Sequence, residues 1–202
     1  MTGTHERVDL RDAILRKAGE SAELKTRFFE ENADLLIRCV ERLAESFRSG
    51  GRLLVMGNGG SACDAQHVAI EFQHPIIEKR KPLPAMALTV DTAALTAIGN
   101  DGDFARVFVE QLDMLGRTGD AILGISSSGA SANVNRALKR GREMGLVTIG
   151  FSGRDGGRMP ELCDFCFTVP SWSIHRIQEV HTTLLHLLWD LVHVSMGEDD
   201  VL

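Results

Sequence analysis

Apolar residues recur along this chain in two rhythms, and the change from one to the other is its main structural signal. Over residues 6–48 the sequence is rich in charge, with apolar residues at helical spacing, clearest in Leu35, Leu36, Cys39, Val40, Leu43, Ala44 and Phe47. This predicts two leading helices, broken near residues 28–31 and stopped by Ser49-Gly50-Gly51. From there short apolar runs, at residues 53–56, 85–88, 121–125, 147–151 and 165–169, alternate with amphipathic segments. Strands separated by helical crossovers make an α/β fold with a parallel sheet flanked by helices. A long terminal helix over residues 174–196 places Ile177, Val180, Leu184, Leu187, Leu188 and Leu191 on one apolar stripe. No internal repeat, low-complexity tract or linker interrupts the pattern, so residues 1–202 are expected to form a single domain.

Composition narrows the setting. A length of 202 residues suits one core, and 44% hydrophobic with 25% charged residues is ordinary for soluble proteins. The net charge of -6 disfavours a broad electrostatic grip on nucleic acid. The first twelve residues carry both charge signs and lack the apolar core of a signal peptide, and no uncharged stretch is long enough to span a bilayer. A cytoplasmic protein without a membrane partner is the expectation. Four cysteines, Cys39, Cys63, Cys163 and Cys166, are too few and too unevenly spaced for a disulfide framework, so reduced thiols are expected. Cys163-x-x-Cys166 has the spacing of half a zinc ribbon or of a redox pair, but no second pair accompanies it and it runs into a strand-like segment. The pair is therefore read as buried strand cysteines.

In open parallel sheets ligands bind beyond the carboxyl ends of the strands, which directs attention to the residues just after each apolar run. After the first comes Gly57-Asn58-Gly59-Gly60-Ser61, where the glycines permit tight turns and close approach of a ligand, and Ser61 is expected to cap the next helix. After the third comes Ser126-Ser127-Ser128-Gly129-Ala130-Ser131, leading into a helical pattern over residues 132–141. Clustered hydroxyls and free amides at a helix amino terminus form a donor cradle for phosphate. Gly57-x-Gly59-x-x-Ala62 also meets a relaxed dinucleotide pattern, with Asp91 expected to close the next strand. That aspartate lies well beyond the usual interval of about 20 residues, and the serine loop would go unexplained. A Walker loop is excluded because no lysine comes after the glycines.

The reactive groups lie on two helices. His67 and Glu71, four residues apart, share a face, which suits two ligands of one metal ion, an acid/base pair, or an ordinary contact between helix neighbours. On the terminal helix Gln178, His181 and His186 lie among core-facing leucines. Helical rise separates the backbones of Gln178 and His186 by roughly 12 Å, and spacing does not choose between the two histidines. His74, His175 and His193 are read as surface or packing residues.

These residues resemble a known family, the sugar isomerase (SIS) domain proteins, and within it the phosphoheptose isomerases. The likeness runs over nearly the whole chain. Its specific passages are Gly57-Asn58-Gly59-Gly60-Ser61-Ala62-Cys63-Asp64-Ala65-Gln66-His67 with Glu71, Ala97-Ile98-Gly99-Asn100-Asp101, and Gly124-Ile125-Ser126-Ser127-Ser128-Gly129-Ala130-Ser131-Ala132-Asn133-Val134. Gly153-Arg154-Asp155-Gly156-Gly157 and Arg176-Ile177-Gln178-Glu179 with His181 and His186 complete the set. The resemblance implies that Ser126, Ser127, Ser128 and Ser131 hold a phosphate, and that Asn58, Gly59, Gly60, Asn100 and Asp101 contact a sugar, with Glu71 and Gln178 also at the substrate. It implies zinc on His67, Glu71, Gln178 and His186, with Glu71 and His186 as the catalytic pair and His181 as a supporting or structural residue. The implied activity is interconversion of sedoheptulose 7-phosphate and D-glycero-D-manno-heptose 7-phosphate, the first step of nucleotide-activated heptose biosynthesis of the kind that serves lipopolysaccharide.

The resemblance further implies a homotetramer with active sites between subunits, in which residues 1–50 help the assembly. Two competing expectations are an isomerase of another phosphosugar and a non-catalytic SIS-domain protein associated with replication initiation. Two segments depart from the family pattern: Gln73-His74-Pro75-Ile76-Ile77, where a glycine and an arginine are common, and Ser171-Trp172-Ser173-Ile174-His175, where small or acidic residues are. Both are expected to border the sugar end of the pocket.

Overall fold

Five parallel strands lie in the order β2-β1-β3-β4-β5 in the computed structural model, which describes residues 9–76 and 80–200. Residues 6–8 of the leading helical stretch, and Ile77, lie outside the described residues. The strands are β1 (Leu53–Gly57), β2 (Ala85–Ala87), β3 (Ala121–Ser126), β4 (Val147–Gly153) and β5 (Phe165–Val169). Every residue of β1, β3 and β4 is buried, as expected for strands covered on both faces. On one face Leu53, Val55, Leu123, Ile149, Phe151 and Phe167 pack against α1 (Leu10–Arg48), α2 (Gly60–Gln73) and α7 (Ile174–Ser195). On the other, Leu54, Met56 and Ile122 meet α4 (Val109–Leu115) and α5 (Ala132–Glu143). The remaining helices are α3 (Thr92–Asp101) and the four-residue α6 (Met159–Leu162).

The leading segment is one helix of 39 residues, about 58 Å long, and not two. Nothing between residues 28 and 31 can break it: the segment has neither glycine nor proline, and Asn32 donates its amide to the Phe28 carbonyl at 2.8 Å within the helix. Phe28 is fully buried at this point, while Leu10, Ile14 and Leu15 in the first turns are 76%, 66% and 61% exposed. Truncating Phe28 to Ala should cost about 3–5 kcal/mol of unfolding free energy by urea titration. A cost under about 1 kcal/mol would mean that the helix is not docked through this residue.

Two local expectations also change. Gly59, not Ser61, occupies the N-cap of α2, and Ser61 lies buried in its first turn. Asp91 does not close a strand. It caps α3, its carboxylate accepting from the Ala94 amide at 2.9 Å.

A buried ion pair joins the connection before β2 to the terminal helix. Arg80 Nη2 donates to Asp190 Oδ1 at 2.5 Å, and each side chain is only 3% exposed. The same nitrogen reaches the Asp199 carbonyl at 2.9 Å, and the guanidinium lies over Trp189 at 4.5 Å from the ring centre. Neither residue stood out in the sequence.

Candidate active site

Because all strands are parallel, the loops after β1, β3 and β4 emerge at one edge of the sheet. The chain runs from β1 outward to β2 on one side and from β3 toward β5 on the other, so β1 and β3 flank the topological switch point. Both informative loops open there.

Gly59 has φ 56°, a left-handed conformation that favours glycine, and this turns the chain sharply into α2. The absent side chain of Gly60 leaves room for the Gln178 amide, which a Cβ would overlap. Gln178 thereby lies against the first turn of α2. Seven residues beyond Gly60, His67 faces His186, which is eight residues beyond Gln178, so α2 and α7 run side by side in the same direction.

His67 Nε2 lies 3.3 Å from His186 Nε2 and 3.3 Å from Glu71 Oε1, and the two rings meet edge to face. One donor atom from each of the three residues falls within 4.8 Å of the others. Two imidazole nitrogens and a carboxylate oxygen converging on one point are a donor set that suits a borderline-soft divalent ion. Desolvation lowers the pKa of His186, reinforced by charge on His67 and opposed by Glu71, so the ring is neutral at neutral pH and free to accept a proton. Tertiary placement thus selects His186, which spacing did not.

His181 points elsewhere. It is fully buried beside Phe151, with Nε2 3.0 Å from the Ser152 carbonyl, and burial lowers its pKa to about 4 against a weaker upward pull from that hydrogen bond. It is a neutral structural ring. A histidine whose pKa drops on folding contributes stability that is complete above about pH 6.5 and is lost as the pH falls toward 4. Thermal or urea unfolding at pH 7.5 and pH 4.5 should therefore differ by about 3 kcal/mol less in His181→Gln than in the parent chain; equal pH losses in both would show that His181 is not buried neutral.

The serine loop forms a compact cradle. Ser126 Oγ is 2.9 Å from Ser131 Oγ and 3.5 Å from Ser128 Oγ, and Ser128 Oγ accepts from the Ala130 amide at 3.2 Å. Ser131 occupies the N-cap of α5 with its hydroxyl turned to Ser126, so it caps none of the first amides, of which Val134 N–H donates to Asn133 Oδ1 at 2.9 Å. Ser127 lies in the same loop and is half-buried. Gly129, at φ 62°, packs so closely on the loop after β4 that a Cβ would fall on the Gly156 carbonyl. Hydroxyls, free amides and a helix amino terminus can together hold a phosphate without any cationic side chain.

Asn133 is the residue whose role sequence reasoning missed. It is buried, and its amide exchanges two hydrogen bonds with Asn58, at 2.9 and 2.8 Å, tying the glycine loop after β1 to the start of α5 across the switch point. Its position in the Ser131-Ala132-Asn133 run was a signal, but nothing in the sequence paired it with Asn58. Asp64, one turn before His67, has a buried Oδ2 without a partner, and burial raises its carboxyl pKa against an opposing pull from His67. Asn100 and Asp101, at the end of α3, are exposed and bonded to each other at 2.7 Å. No hydrogen bond among the described residues ties them to either loop. Of the remaining histidines, His74 and His175 are exposed, and His193 is buried between Phe72 and Trp189 with Nδ1 3.1 Å from Glu198. In the second segment that departs from the family pattern, Trp172 lies under the Arg154 guanidinium at 5.6 Å and is 73% exposed. No helix among the described residues is long and apolar enough to cross a membrane.

Comparison with known proteins gives a consistent result. A family model described as the SIS domain matches residues 18–153. A phosphoheptose isomerase of Roseiflexus is 46% identical over 186 residues, covering 92% of this chain and 94% of its own. Among solved structures, a phosphoheptose isomerase from Neisseria gonorrhoeae superposes with a TM-score of 0.85 at 38% identity, over 91% of this chain and 98% of its own. One from Francisella tularensis gives 0.88 at 30% identity, over 93% and 100%. Matched by the family model over residues 18–153 and by relatives over nearly their full length, the chain belongs to the SIS-domain family and, within it, to the phosphoheptose isomerases.

Proposed function

We propose that the chain interconverts sedoheptulose 7-phosphate and D-glycero-D-manno-heptose 7-phosphate through an enediol, the first step toward a nucleotide-activated heptose. The observation that carries this reading is the meeting of Glu71, His67 and His186 at one point, in a chain whose serine loop is suited to phosphate. A binding protein needs the cradle but not the acid/base cluster. Ser126, Ser127, Ser128 and Ser131 would hold the phosphate and so place the carbonyl end of the sugar toward the cluster. Asn58, Gly59, Gly60, Asn100, Asp101 and Gln178 would contact the sugar.

The chemistry needs a base to move a proton between adjacent carbons and a second group to exchange protons with the two oxygens. Glu71 is the base. His186, neutral at neutral pH, relays the oxygen protons. His67, Glu71 and His186 would hold a zinc ion, with Gln178 as a further ligand, and when bound zinc would supply Lewis-acid polarisation of the carbonyl.

A homotetramer with sites between subunits, working in the cytoplasm, fits several features. Helix α3 buries no residue within the chain, α1 exposes Leu10, Ile14 and Leu15, and Asn100 and Asp101 have no partner from the cluster. Gln178, two turns from His186, would then reach a site shared with a neighbouring copy.

The test is to incubate the purified, zinc-supplemented protein with sedoheptulose 7-phosphate and follow the aldose by NMR. Conversion that disappears on chelation and returns with zinc is the expected result. Activity that survives rigorous chelation would remove zinc from the chemistry, and no conversion by a folded, zinc-loaded protein would overturn the substrate.

A further inference from the structure

The cysteine pair that the sequence analysis set aside lies in a position that the isomerase reading does not use. Gly150 of β4 and Cys166 of β5 are register partners on adjacent strands. Cys163, just ahead of β5, places its sulfur in the space left by the missing side chain of Gly150, 2.8 Å from where a Cβ would stand. Both cysteines pack on the same apolar cluster, Cys163 in the space left by Gly150 and Cys166 on the neighbouring strand at the same register. All four cysteines of the chain are free thiols.

Cys166 has polar company as well. Its sulfur is 3.6 Å from Ser152 Oγ and 3.8 Å from Thr168 Oγ1, and those hydroxyls, two register pairs further along, bond each other at 2.8 Å. The neighbouring Cys163, helped by the two hydroxyls, holds the Cys166 thiol below its usual range despite burial, while Cys163 is pushed up by its neighbour Cys166 and by burial. One sulfur is thus favoured as thiolate and its neighbour as thiol, which is the division of roles an attacking and a resolving cysteine require. Cys166 is partly exposed.

We propose that Cys163 and Cys166 form a peroxide-sensitive dithiol that closes reversibly to a disulfide. The Cys166 thiolate attacks one oxygen of hydrogen peroxide, giving a sulfenic acid and, after protonation, water. The Cys163 thiol then displaces the sulfenic hydroxyl as a second water, so two thiols and one peroxide become one disulfide and two waters. A thiol reductant reverses the change.

The pair is linked to the phosphate cradle. Thr168 Oγ1 lies 3.1 Å from where a Cβ of Gly156 would stand, and Gly156 and Gly157 pack directly on Gly129 of the serine loop. Drawing Cys166 toward Cys163 removes its sulfur from the Ser152–Thr168 pair and loosens the support beneath that contact.

The full chain is treated with hydrogen peroxide and mapped by peptide mass spectrometry without reduction, with exposed Cys63 as the internal control for oxidant reaching the protein. The expected product is a peptide containing residues 163 and 166 with two hydrogens lost, restored by dithiothreitol and absent from Cys163→Ser. Hydrogen exchange across residues 153–158 should quicken in the oxidised chain and recover on reduction. Oxidation of Cys63 with both Cys163 and Cys166 left as thiols, or Cys166 passing to a sulfinic acid without a disulfide, overturns the dithiol. A disulfide that leaves exchange across 153–158 unchanged overturns its link to the cradle.

Discussion

Glu71→Gln should reduce isomerase turnover by about 100- to 10,000-fold while leaving the melting temperature close to that of the parent chain. The amide has the size of the carboxylate and can still contact His67 Nε2 from the same place on α2, where the parent distance is 3.3 Å. What it lacks is a basic oxygen to take the carbon-bound proton. If the serine loop grips the phosphate as proposed, KM should change far less than kcat, so the loss belongs to the transition state. The measurement is steady-state kinetics by NMR beside a thermal melt. Near-parental turnover in a folded Glu71→Gln would remove the carboxylate from the role of base.

The second large effect concerns stability. Asp190→Ala removes the close counter-charge of the Arg80 guanidinium, whose Nε and Nη1 are already buried without a hydrogen-bond partner, and leaves it only the longer pair with Glu198 at 3.9 Å. Breaking a buried pair from one side typically costs about 3–5 kcal/mol, which for a chain of this size lowers Tm by roughly 6–20 °C. Replacing both partners, as Arg80→Met with Asp190→Leu, should recover much of that loss, since the penalty comes from the unpaired charge and not from the missing attraction. Calorimetry of the three chains separates the cases. A single variant as stable as the parent would mean that Glu198 or water takes over the guanidinium.

The sheet and the terminal helix were legible in the sequence because both depend on local apolar pattern: the five runs became the five strands, and the stripe from Ile177 to Leu191 became the buried side of α7. The predicted break in the leading helix failed because a change in pattern at Phe28 was read as an interruption of the backbone, whereas it marks the site where the helix docks. Ser61 and Asp91 were misplaced by a few residues for a related reason: capping depends on where the backbone turns, and Gly59 turns it two residues before Ser61. From spacing alone the His67, Glu71 and His186 cluster was only half legible, and the family resemblance supplied the rest. His67 and Glu71 share a helix and could be paired by counting, but His186 comes from a helix more than a hundred residues away. The Asn58–Asn133 and Arg80–Asp190 pairs join still other distant segments, and neither has a local pattern to reveal it.

The first turns of α1 bury no side chain within the chain, and the helix is first hydrogen-bonded to α7 where Ser21 Oγ donates to Glu179 at 2.6 Å. A helical segment of that length has little intrinsic stability in water, so in an isolated chain those turns should unravel from the amino end. They persist only if something covers Leu10, Ile14 and Leu15, and a second copy of the chain would do so by mass action. Dilution alone should then cost this protein helical signal in circular dichroism, at constant temperature and solvent, before its sheet begins to open.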